Sequence, residues 1–540
     1  MATTWTRPRD CTIGEVLRRL VAARPDDEAL VDPARGWRVS FRELDAKTLE
    51  AASSFLALGV GRGDRVTVWA ENVPEWIVIE LALARIGAIL VTANTALKPP
   101  EIEYLLKQSE SCAVVYTAGS ETNSYPRSLA QVRAALPELR HEIFLGNDAP
   151  PPARAWPEFR ALGAKARPEL EKEVVRIEGE LAPDDVINMQ YTSGTTGFPK
   201  GVMLTHRNLV NNAWGIGSKL RFAPGERLAL TVPLFHCFGC VVGTLGAFVS
   251  AVTIALLDRF DAARALDLVE RERCNLLYGV PTHFRLLTEE QERKPRDLST
   301  LRAGVMGGAP CPEELVRKLV TTLHLPQAVA AYGLTECSPG VTINDPDDTI
   351  ERRATTCGRP LPNTEIRVVD PASKREVARG ETGELWVRGD CVMKGYWKKP
   401  EATAEVLLAD GWLRTGDLAV HGVDEYVRIV GRLKEMIIRG GENVYPAEVE
   451  DALRGHPGVR DAAVFGVPDP VFGEEVRAAI LARAAPPPSE TELRAFLKER
   501  VAGVKVPTRI FCVDAFPMTA SGKVQKFKLA EQFAPAPRGS

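Results

Sequence analysis

The sequence predicts an α/β protein with a large N-terminal domain of helix-covered sheets, a β-rich subdomain and a small α+β C-terminal domain. Three observations lead to this prediction. The chain has 540 residues, more than a single hydrophobic core usually serves. Helical and strand patterns alternate along its first part, as they do in parallel sheets covered by helices. From Thr364 onward, short alternating strands separated by glycine-rich turns replace that alternation.

The first elements follow from the spacing of apolar residues. Val16, Leu17 and Leu20 recur at helical spacing, which predicts a helix over residues 14–23. The run from Arg65 to Trp69 predicts a strand. Residues 74–86 predict a helix, and the proline at position 74 fits the first turn of that helix. The same patterns predict helices at 41–58 and 99–108, and strands at 89–92 and 113–117.

The later part of the chain has a different pattern. Residues 365–369 and 383–387 predict short strands of the β-rich subdomain. About 100 further residues, a usual size for a small domain, form a compact α+β pattern. It comprises strand 435–438, helix 447–453, strands 461–467 and 477–483, and helix 491–501. We therefore predict domains at 1–431 and 432–540.

Composition argues against several classes of protein. Lys and Arg total 68 against 71 Asp and Glu, a net charge of −3 that gives no sign of a nucleic-acid partner. Ten scattered cysteines and an N-terminus without a secretory apolar segment indicate a reducing, cytoplasmic compartment. Residues 237–257 lack charged side chains and are long enough to span a bilayer. Three glycines and a strand-like end favour a buried helix followed by a buried strand, and a membrane span is the lesser alternative.

Cys237 and Cys240 form a CxxC pair at the start of the same run. Such a pair can bind a metal ion or undergo redox chemistry. There is no second CxxC in the sequence, and the stretch after His236 is apolar. Buried free thiols are therefore the favoured interpretation.

The segment YTSGTTGFPKGVMLTH, from Tyr191 to His206, concentrates hydroxyl residues, glycines and one lysine. Glycines let the backbone approach a ligand closely, and amides with hydroxyls can surround phosphate oxygens. The segment is not a P-loop, because Lys200 is followed by Gly201 and the glycine spacing differs. Apolar flanks predict a buried strand pair around the loop rather than a flexible linker. The segment therefore predicts a polyphosphate site.

This segment resembles the phosphate loop of the acyl-adenylate-forming superfamily, which includes acyl-CoA synthetases, plant coumarate ligases, luciferases and peptide-synthetase adenylation domains. The resemblance covers nearly the whole chain and implies a mobile C-terminal domain. It also implies ATP, Mg²⁺ and coenzyme A as cofactors and a small carboxylic acid as substrate. Further matching motifs are AYGLTE at 331–336, VMGGAP at 305–310, GWLRTGD at 411–417, GRLKEMIIRGGEN at 431–443 and PMTASGKVQK at 517–526.

The resemblance assigns the nucleotide site. It implies that Glu336 holds Mg²⁺, that Thr335 donates to the α-phosphate and that Tyr332 stacks on adenine. Asp417 would accept hydrogen bonds from both ribose hydroxyls, with Arg432 as a second nucleotide contact. Taken alone, the motifs around Glu336 and Asp417 fit ordinary turns as well. The implied ATP- and AMP-binding residues are Thr192, Ser193, Gly194, Thr195, Thr196, Lys200, Gly308, Ala309, Pro310, Tyr332, Gly333, Thr335, Asp417 and Arg432.

The resemblance also assigns catalysis and domain motion. Lys523 would contact the substrate carboxylate and the α-phosphate during adenylation, with Thr335 and Glu336 as further catalytic residues. Lys434 matches the hinge about which the C-terminal domain rotates. Lys526 stands where relatives often carry a basic residue. Taken alone, each lysine fits solvated surface.

The acid and the thiol would be bound by other segments. His236 matches a position that lines the acid pocket, although a histidine in an apolar stretch is more often a core residue. Phe235, Phe238 and Gly239 are the candidate walls of that pocket. The diglycine of Gly440 and Gly441 would let pantetheine pass close to the backbone.

The implied reaction meets a physical obstacle, because the substrate carboxylate and the triphosphate repel each other. Two unit charges ~4 Å apart repel by ~4 kcal/mol at a protein-like effective dielectric. Mg²⁺ on Glu336, Lys523 and the hydroxyl and amide groups of Thr192 to Thr196 would offset this repulsion. Rotation about Lys434 would then withdraw Lys523 and admit the thiol. The products would be acyl-CoA, AMP and pyrophosphate.

Within the superfamily, the chain resembles medium-chain fatty-acid–CoA ligases in segments 233–239, 307–311, 437–446 and 516–519. A ligase for aromatic acids such as benzoate or coumarate is the main alternative. A non-catalytic homologue that only binds nucleotide is another, against which intact Lys200, Glu336, Asp417 and Lys523 argue. An assembly-line adenylation domain is disfavoured, because the sequence has no carrier segment after Lys523. A homodimer is an expectation that rests on the resemblance alone.

Overall fold

A computed structural model describes residues 10–165, 167–192, 199–308, 311–440, 442–518 and 524–534. These residues divide into two compact units. The first unit runs to Ile366 and adds Val387–Leu413, and the second comprises Arg367–Trp386 and the chain from Arg414 onward. Helices and sheets occur in both units, so the predicted α/β class is confirmed. The domain boundary between residues 431 and 432 stays a prediction.

The first unit contains fourteen α-helices in its described part, several of which begin at capping signals. They are α1 (Ile13–Ala23), α2 (Phe41–Ala57), α3 (Pro74–Ile86), α4 (Pro99–Ser109), α5 (Tyr125–Val132), α6 (Trp156–Lys165), α7 (Arg167–Glu180), α8 (His206–Lys219), α9 (Gly246–Phe248), α10 (Ala262–Glu272), α11 (Pro281–Arg293), α12 (Glu313–Thr321), α13 (Ile350–Thr355) and α14 (Pro400–Val406). Thr12, Ser40 and Thr205 accept hydrogen bonds from first-turn amides and so cap α1, α2 and α8. Proline lies in the first turn of α3, α4, α11 and α14.

The strands of the described residues, in chain order, form sheets in both units. They are β1 (Glu28–Asp32), β2 (Trp37–Ser40), β3 (Arg65–Trp69), β4 (Ile89–Thr92), β5 (Ala113–Tyr116), β6 (Gly119–Ser120), β7 (Asn123–Ser124), β8 (His141–Phe144), β9 (Arg154–Ala155), β10 (Val186–Thr192), β11 (Lys200–Thr205), β12 (Arg227–Leu230), β13 (Thr253–Leu256), β14 (Leu276–Gly279), β15 (Ala303–Gly307), β16 (Gln327–Gly333), β17 (Gly340–Ile343), β18 (Arg359–Pro360), β19 (Thr364–Val369), β20 (Thr382–Gly389), β21 (Gly395–Tyr396), β22 (Leu413–His421), β23 (Val427–Arg432), β24 (Ile437–Arg439), β25 (Glu442–Val444), β26 (Val459–Asp469), β27 (Gly473–Ala482) and β28 (Arg509–Cys512).

Two sheets organise the first unit. Sheet A has the order β18-β17-β16-β15-β14-β12-β13-β1-β2, and sheet B has the order β21-β11-β10-β4-β3-β5-β8-β9. The central pairs of both sheets are parallel, which confirms the predicted parallel sheets. Buried residues of β12, β14, β15 and β16 pack against α10, α11 and α12 in one continuous core. In parallel sheets the carboxyl ends of the strands meet at one edge, where ligands usually bind.

The second unit contains smaller sheets and three helices in its described part. One sheet has the order β19-β20-β22-β23, and its first two strands are shared between the two units. The other has the order β25-β24-β27-β26, with β28 paired to β27. The helices are α15 (Pro446–Arg454), α16 (Glu490–Lys498) and α17 (Lys526–Gln532). Buried residues of α15 and α16 pack on β24, β26 and β27 and form the core of this unit.

Most predicted elements are confirmed, with ends that move by up to four residues. The helix at 74–86 and the strands at 65–69 and 89–92 have the predicted bounds. The strand predicted at 435–438 is partly wrong. A 3₁₀ helix at Leu433–Glu435 precedes β24, because the Met436 amide bonds the Arg432 carbonyl and closes a turn there.

The apolar run at 237–257 is a buried helix followed by a buried strand, as predicted. A π-helix at Phe238–Leu245 continues into α9 and then β13. None of the helices in the described ranges is both long and apolar enough to cross a membrane. Cys237 and Cys240 are buried free thiols, which confirms the favoured interpretation of the CxxC pair.

His206 is fully buried at the start of α8. Its Nδ1 accepts a hydrogen bond from the Ile13 amide at 3.2 Å, and only an unprotonated Nδ1 can do so. Burial lowers the pKa of His206 to about 4. The folded protein therefore holds this ring neutral where an unfolded chain would protonate it.

We predict that His206 makes the first unit less stable in acid. Because its folded pKa lies below the unfolded value of about 6.5, stability is complete above that value and falls as the pH drops toward 4. The loss at pH 5 is about 2 kcal/mol, from the difference between the two pKa values. Urea unfolding at pH 7.5 and 5.0 measures it. His206→Gln should flatten the pH dependence, and His324→Gln, on the surface, should leave it unchanged.

Candidate active site

The ends of the predicted phosphate loop are held by neighbouring strands. β10 and β11 pair antiparallel, with Thr192 opposite Lys200, so the predicted buried strand pair is confirmed. The Lys200 ammonium lies 4.8 Å from the centre of the Tyr396 ring. Ser193, Gly194, Thr195 and Thr196 lie outside the described residues.

Glu336 is joined to the same region through Tyr396. The Tyr396 hydroxyl donates to Oε1 of Glu336 at 2.8 Å, and the Met393 amide donates to the Glu336 carbonyl at 2.9 Å. Burial and the nearby Glu336 carboxylate raise the pKa of Tyr396, so its hydroxyl keeps its proton. The structure thus brings Lys200 and Glu336 into contact with the same aromatic side chain. The sequence prediction did not include Tyr396, and its only sequence signal was the Gly-Tyr pair at 395–396.

Helix α4 supports both ends of the loop, a role that the sequence prediction also missed. The Tyr104 hydroxyl donates to the Pro199 carbonyl at 2.9 Å. Gln108 accepts a hydrogen bond from the Tyr191 hydroxyl and donates to the Trp397 carbonyl at 3.0 Å. One helix therefore fixes the residue before the loop, the residue after it and the segment that carries Tyr396.

Two motifs predicted for adenine lie side by side in sheet A. β15 and β16 are parallel, with Gly307 opposite Ala331. Gly308 follows β15 with φ +87°, a conformation that favours glycine. Tyr332 is half-buried at the end of β16, and a Cβ on Gly333 would lie 2.1 Å from the Pro339 carbonyl oxygen. Ala309 and Pro310 lie outside the described residues.

The turn that carries Thr335 and Glu336 is anchored from α8. Asn212 donates to the carbonyls of Gly340 and Cys337 at 2.7 and 3.3 Å, and it accepts from the Gly340 amide at 3.0 Å. The Thr335 side chain hydrogen-bonds the Cys237 thiol, whose pKa is raised mainly by burial. The segment around Cys237 therefore lies against the predicted catalytic turn.

The predicted acid-pocket segment, residues 233–239, is a tight loop that follows β12. His236 is exposed, and its Nδ1 accepts from the Phe238 amide at 3.1 Å. Phe238 is half-buried and stacks on Tyr278 with ring centres 5.7 Å apart. A Cβ on Gly239 would lie 2.1 Å from the Pro233 carbonyl oxygen, so this glycine lets the loop close on itself.

In the second unit, Asp417 and Arg432 are cross-strand partners on β22 and β23. Arg432 Nε lies 3.0 Å from Oδ1 of Asp417, whose side chain is 7% exposed. The Asp417 amide donates to the Thr415 hydroxyl at 3.0 Å, and the Gly416 amide donates to the buried Glu384 at 3.3 Å. The two predicted ribose residues are therefore brought together and held by β20.

Three other predicted residues of the second unit lie in different elements of its described part. Lys434 is exposed in the 3₁₀ helix after β23. Gly440 has φ +60°, and its amide donates to the Phe472 carbonyl at 2.8 Å. Lys526 Nζ lies 2.7 Å from Glu450 and 3.2 Å from Glu435, and these carboxylates raise its pKa against the effect of burial. Gly441 and Lys523 lie outside the described residues.

A single carboxylate, that of Glu336, is the group at this site that fits a magnesium ion. Among the described residues, no cluster of three or more His, Cys, Asp or Glu side chains could hold a metal ion. Glu336 is half-buried and oriented by Tyr396. A single oriented carboxylate fits Mg²⁺, which commonly takes its other ligands from nucleotide phosphates and water.

Comparison with known proteins identifies the family. The model of the AMP-binding enzyme family matches residues 17–397, more than half of the chain, and that of the AMP-binding enzyme C-terminal domain matches residues 448–523. The chain belongs to the AMP-binding enzyme family. The predicted superfamily and the prediction of an AMP-forming acid–thiol ligase are therefore confirmed at the level of the family.

Individual relatives agree with this family. The chain is 42% identical over 537 residues to "Putative acyl-CoA synthetase YngI" of Bacillus subtilis (strain 168), covering 96% of this chain and 97% of that protein. It is 39% identical over 543 residues to the mitochondrial medium-chain acyl-CoA ligase ACSF2 of Rattus norvegicus, covering 96% and 87%. The structure of a Mycobacterium tuberculosis fatty acyl CoA synthetase matches with a TM-score of 0.75 and 30% identity, covering 97% and 98%.

We predict that the Tyr396 hydroxyl orients Glu336 in this AMP-binding enzyme. Tyr396→Phe removes a hydrogen bond to a charged group, a contribution of about 2 kcal/mol, so acid-dependent pyrophosphate release should slow roughly tenfold to thirtyfold. The variant keeps the ring below Lys200, whereas Tyr396→Leu removes both contacts and should be slower still. An unchanged rate in Tyr396→Phe would show that Glu336 needs no such orientation.

Proposed function

We propose that the chain is an ATP-dependent carboxylic acid–CoA ligase that acts on medium-chain fatty acids through an acyl-adenylate. The observation that carries this proposal is the convergence of Lys200, Tyr396 and Glu336 beside the segment that the sequence predicts to bind phosphate, within the region that matches the AMP-binding enzyme family. The name of the Rattus norvegicus relative supports the medium-chain substrate. The overall reaction converts acid, ATP and CoA to acyl-CoA, AMP and pyrophosphate.

In the first half-reaction, the carboxylate attacks the α-phosphorus and pyrophosphate leaves. Lys200, with Thr192 to Thr196, binds the phosphates, and Thr335 donates to the α-phosphate. Glu336 would hold Mg²⁺, which would supply charge neutralisation at the phosphates and polarisation of a phosphoryl oxygen. Lys523 lies between the carboxylate and the α-phosphate in this step. Asp417 and Arg432 bind the ribose, and Tyr332, Gly333 and Gly308 to Pro310 bind adenine.

The acid is held by the loop after β12. His236 lines the pocket beside the reacting carboxylate, and Phe235, Phe238 and Gly239 form walls. These aromatic walls suit an aliphatic acid, because burial of methylene groups contributes about 0.8 kcal/mol each. The free thiols at Cys237 and Cys240 are fully buried, and burial raises their pKa well above the ordinary value. They stay protonated and are poor nucleophiles toward the adenylate next to them.

In the second half-reaction, residues 432–540 rotate about Lys434 and withdraw Lys523. The pantetheine thiol then approaches along Gly440 and Gly441 and attacks the acyl carbonyl, which releases AMP. A homodimer in the cytoplasm is part of the same proposal. The ten free cysteines fit a reducing compartment.

A substrate panel tests the proposed acid. Pyrophosphate release and acyl-CoA formation should peak at medium chain length among straight-chain acids from acetate to palmitate. Lys523→Ala should abolish the adenylation half-reaction and leave the thioester step measurable from a supplied acyl-adenylate. A peak at benzoate would assign the enzyme to the aromatic-acid ligases. No product from any acid would refute the fatty-acid assignment.

A magnesium titration tests Glu336. Glu336→Gln keeps the size of the side chain but removes its charge, so the Mg²⁺ concentration for half-maximal rate should rise. The maximal rate of pyrophosphate release should fall about a hundredfold, as for removal of one transition-state contact. Glu401→Gln, an exposed carboxylate at the start of α14, is the matched control. Equal magnesium dependence in both variants would place the ion elsewhere.

A further inference from the structure

Two buried asparagines make the same set of hydrogen bonds at different loops of the candidate site. Asn72 follows β3, donates to the carbonyls of Val232 and Leu257 at 3.0 Å each, and accepts from the Leu234 amide at 2.8 Å. Asn212, on α8, likewise donates to two carbonyls and accepts from one amide, those of Cys337 and Gly340. Each asparagine is 4% exposed.

We propose that Asn72 and Asn212 are positioning residues with separate tasks. Asn72 holds the 233–239 loop that presents His236 to the acid, and Asn212 holds the turn that presents Thr335 and Glu336 to the nucleotide. This inference rests on the proposed function for the identity of the two ligands. The hydrogen-bond pattern that it explains does not depend on that function.

The attachment of the acid loop supports the role of Asn72. Within the loop, the His236 amide bonds the Pro233 carbonyl and the Gly239 amide bonds the His236 carbonyl, so the loop is a closed unit. Asn72 fastens that unit through Leu234, one residue inside it. The Asn72 side-chain amide also donates to the carbonyl of Leu257, which directly follows β13. The Asn72 backbone amide donates to the Asp258 carbonyl at 3.2 Å. Asn72 therefore sets where the loop lies relative to both sheets.

The side-chain chemistry explains why asparagine occupies these positions. Only a carboxamide of this length offers two donors and one acceptor in a plane. Alanine would leave two carbonyls and one amide unpartnered in a buried place, and aspartate could not donate to the carbonyls. Asn208 shows the same pattern, with the amide of Thr205 and the carbonyls of Asp390 and Val392.

The chain offers a matched control at the opposite end of the same strand. Asn275 accepts from the amide of Arg227, the first residue of β12, at 2.9 Å and donates to the Thr300 carbonyl at 3.3 Å. Asn72 bonds the loop at the carboxyl end of β12. A change at Asn275 thus removes comparable hydrogen bonds far from the loops that would contact substrates.

Steady-state kinetics of the full chain separate the two tasks. With the best acid of the panel, Asn72→Ala should raise KM for the acid about tenfold or more and leave KM for ATP within twofold. Asn212→Ala should lower kcat for pyrophosphate release and raise KM for ATP, with KM for the acid within twofold. Asn275→Ala should change neither KM. Parallel shifts of both KM values in all three variants would reduce Asn72 and Asn212 to general stabilisers and overturn the proposal.

Asn72→Asp provides a variant that keeps the size and the acceptor. Its carboxylate faces two carbonyls, so KM for the acid should rise as in Asn72→Ala at high pH. When the pH is lowered, the Asp carboxyl of this variant gains a proton and can donate to one carbonyl. KM for the acid, relative to that of the wild type at the same pH, should then fall part of the way back. If the ratio of KM for the acid in Asn72→Asp to that in the wild type does not change with pH, the proposed positioning role of Asn72 is contradicted.

Hydrogen exchange tests the positions without any activity. Amides of residues 232–239 should exchange faster in Asn72→Ala but not in Asn212→Ala, and amides of 335–340 should show the reverse. A wild type that forms no product from any acid would overturn the proposed function. The exchange pattern would still test whether Asn72 and Asn212 hold their two loops. Uniform exchange changes across the first unit would overturn these positioning roles.

Discussion

The buried carboxamide of Asn72 is the constraint on which the arrangement of the first unit depends. It follows β3 of sheet B, and its partners follow β12 and β13 of sheet A. Carbonyls that leave a strand in a buried place must find a donor, because an unpartnered buried carbonyl costs about 1 to 3 kcal/mol. One side chain satisfies two such carbonyls and one amide, so the carboxyl ends of both sheets are joined at the edge where the site lies.

The charges of the candidate site are few and each has a defined neighbour. Lys200 lies over the Tyr396 ring and the hydroxyl of that ring donates to Glu336, so one aromatic side chain contacts both the cation and the anion. A direct ion pair would lower the affinity of Lys200 for phosphate and of Glu336 for a cation. Both groups therefore stay available to a ligand that carries negative charge and a metal ion.

Two thiols in and beside the predicted acid loop are kept protonated by burial. Burial raises the pKa of Cys237, of Cys240 and of the fully buried Glu80, which lies close enough to both thiols to influence them. At neutral pH both thiols are therefore protonated and uncharged. A buried, apolar surrounding strengthens the electrostatic effect of a charged group such as Glu336.

Much of the fold could be predicted from local pattern. The alternation of helices and strands, the strand pair around the phosphate loop and the buried 237–257 run depend on neighbours in the chain, and the structure confirms them. The strand expected at 435–438 was partly wrong, because one backbone hydrogen bond at Arg432 converts its first half into a turn. Apolar spacing carries no information about such a bond.

The sequence by itself determined the family motifs around Lys200 and Glu336, since glycines, hydroxyls and charges in close succession are visible without a fold. Only the tertiary structure decided that Tyr396 joins those two residues, that Tyr104 and Gln108 support the phosphate loop, and that Asn72 and Asn212 hold its neighbouring loops. Asn72 and Leu234 are 162 positions apart. A polar side chain acquires such a partner only when parallel strands bring distant loops to one edge, and the residue type alone does not reveal which partner it will be.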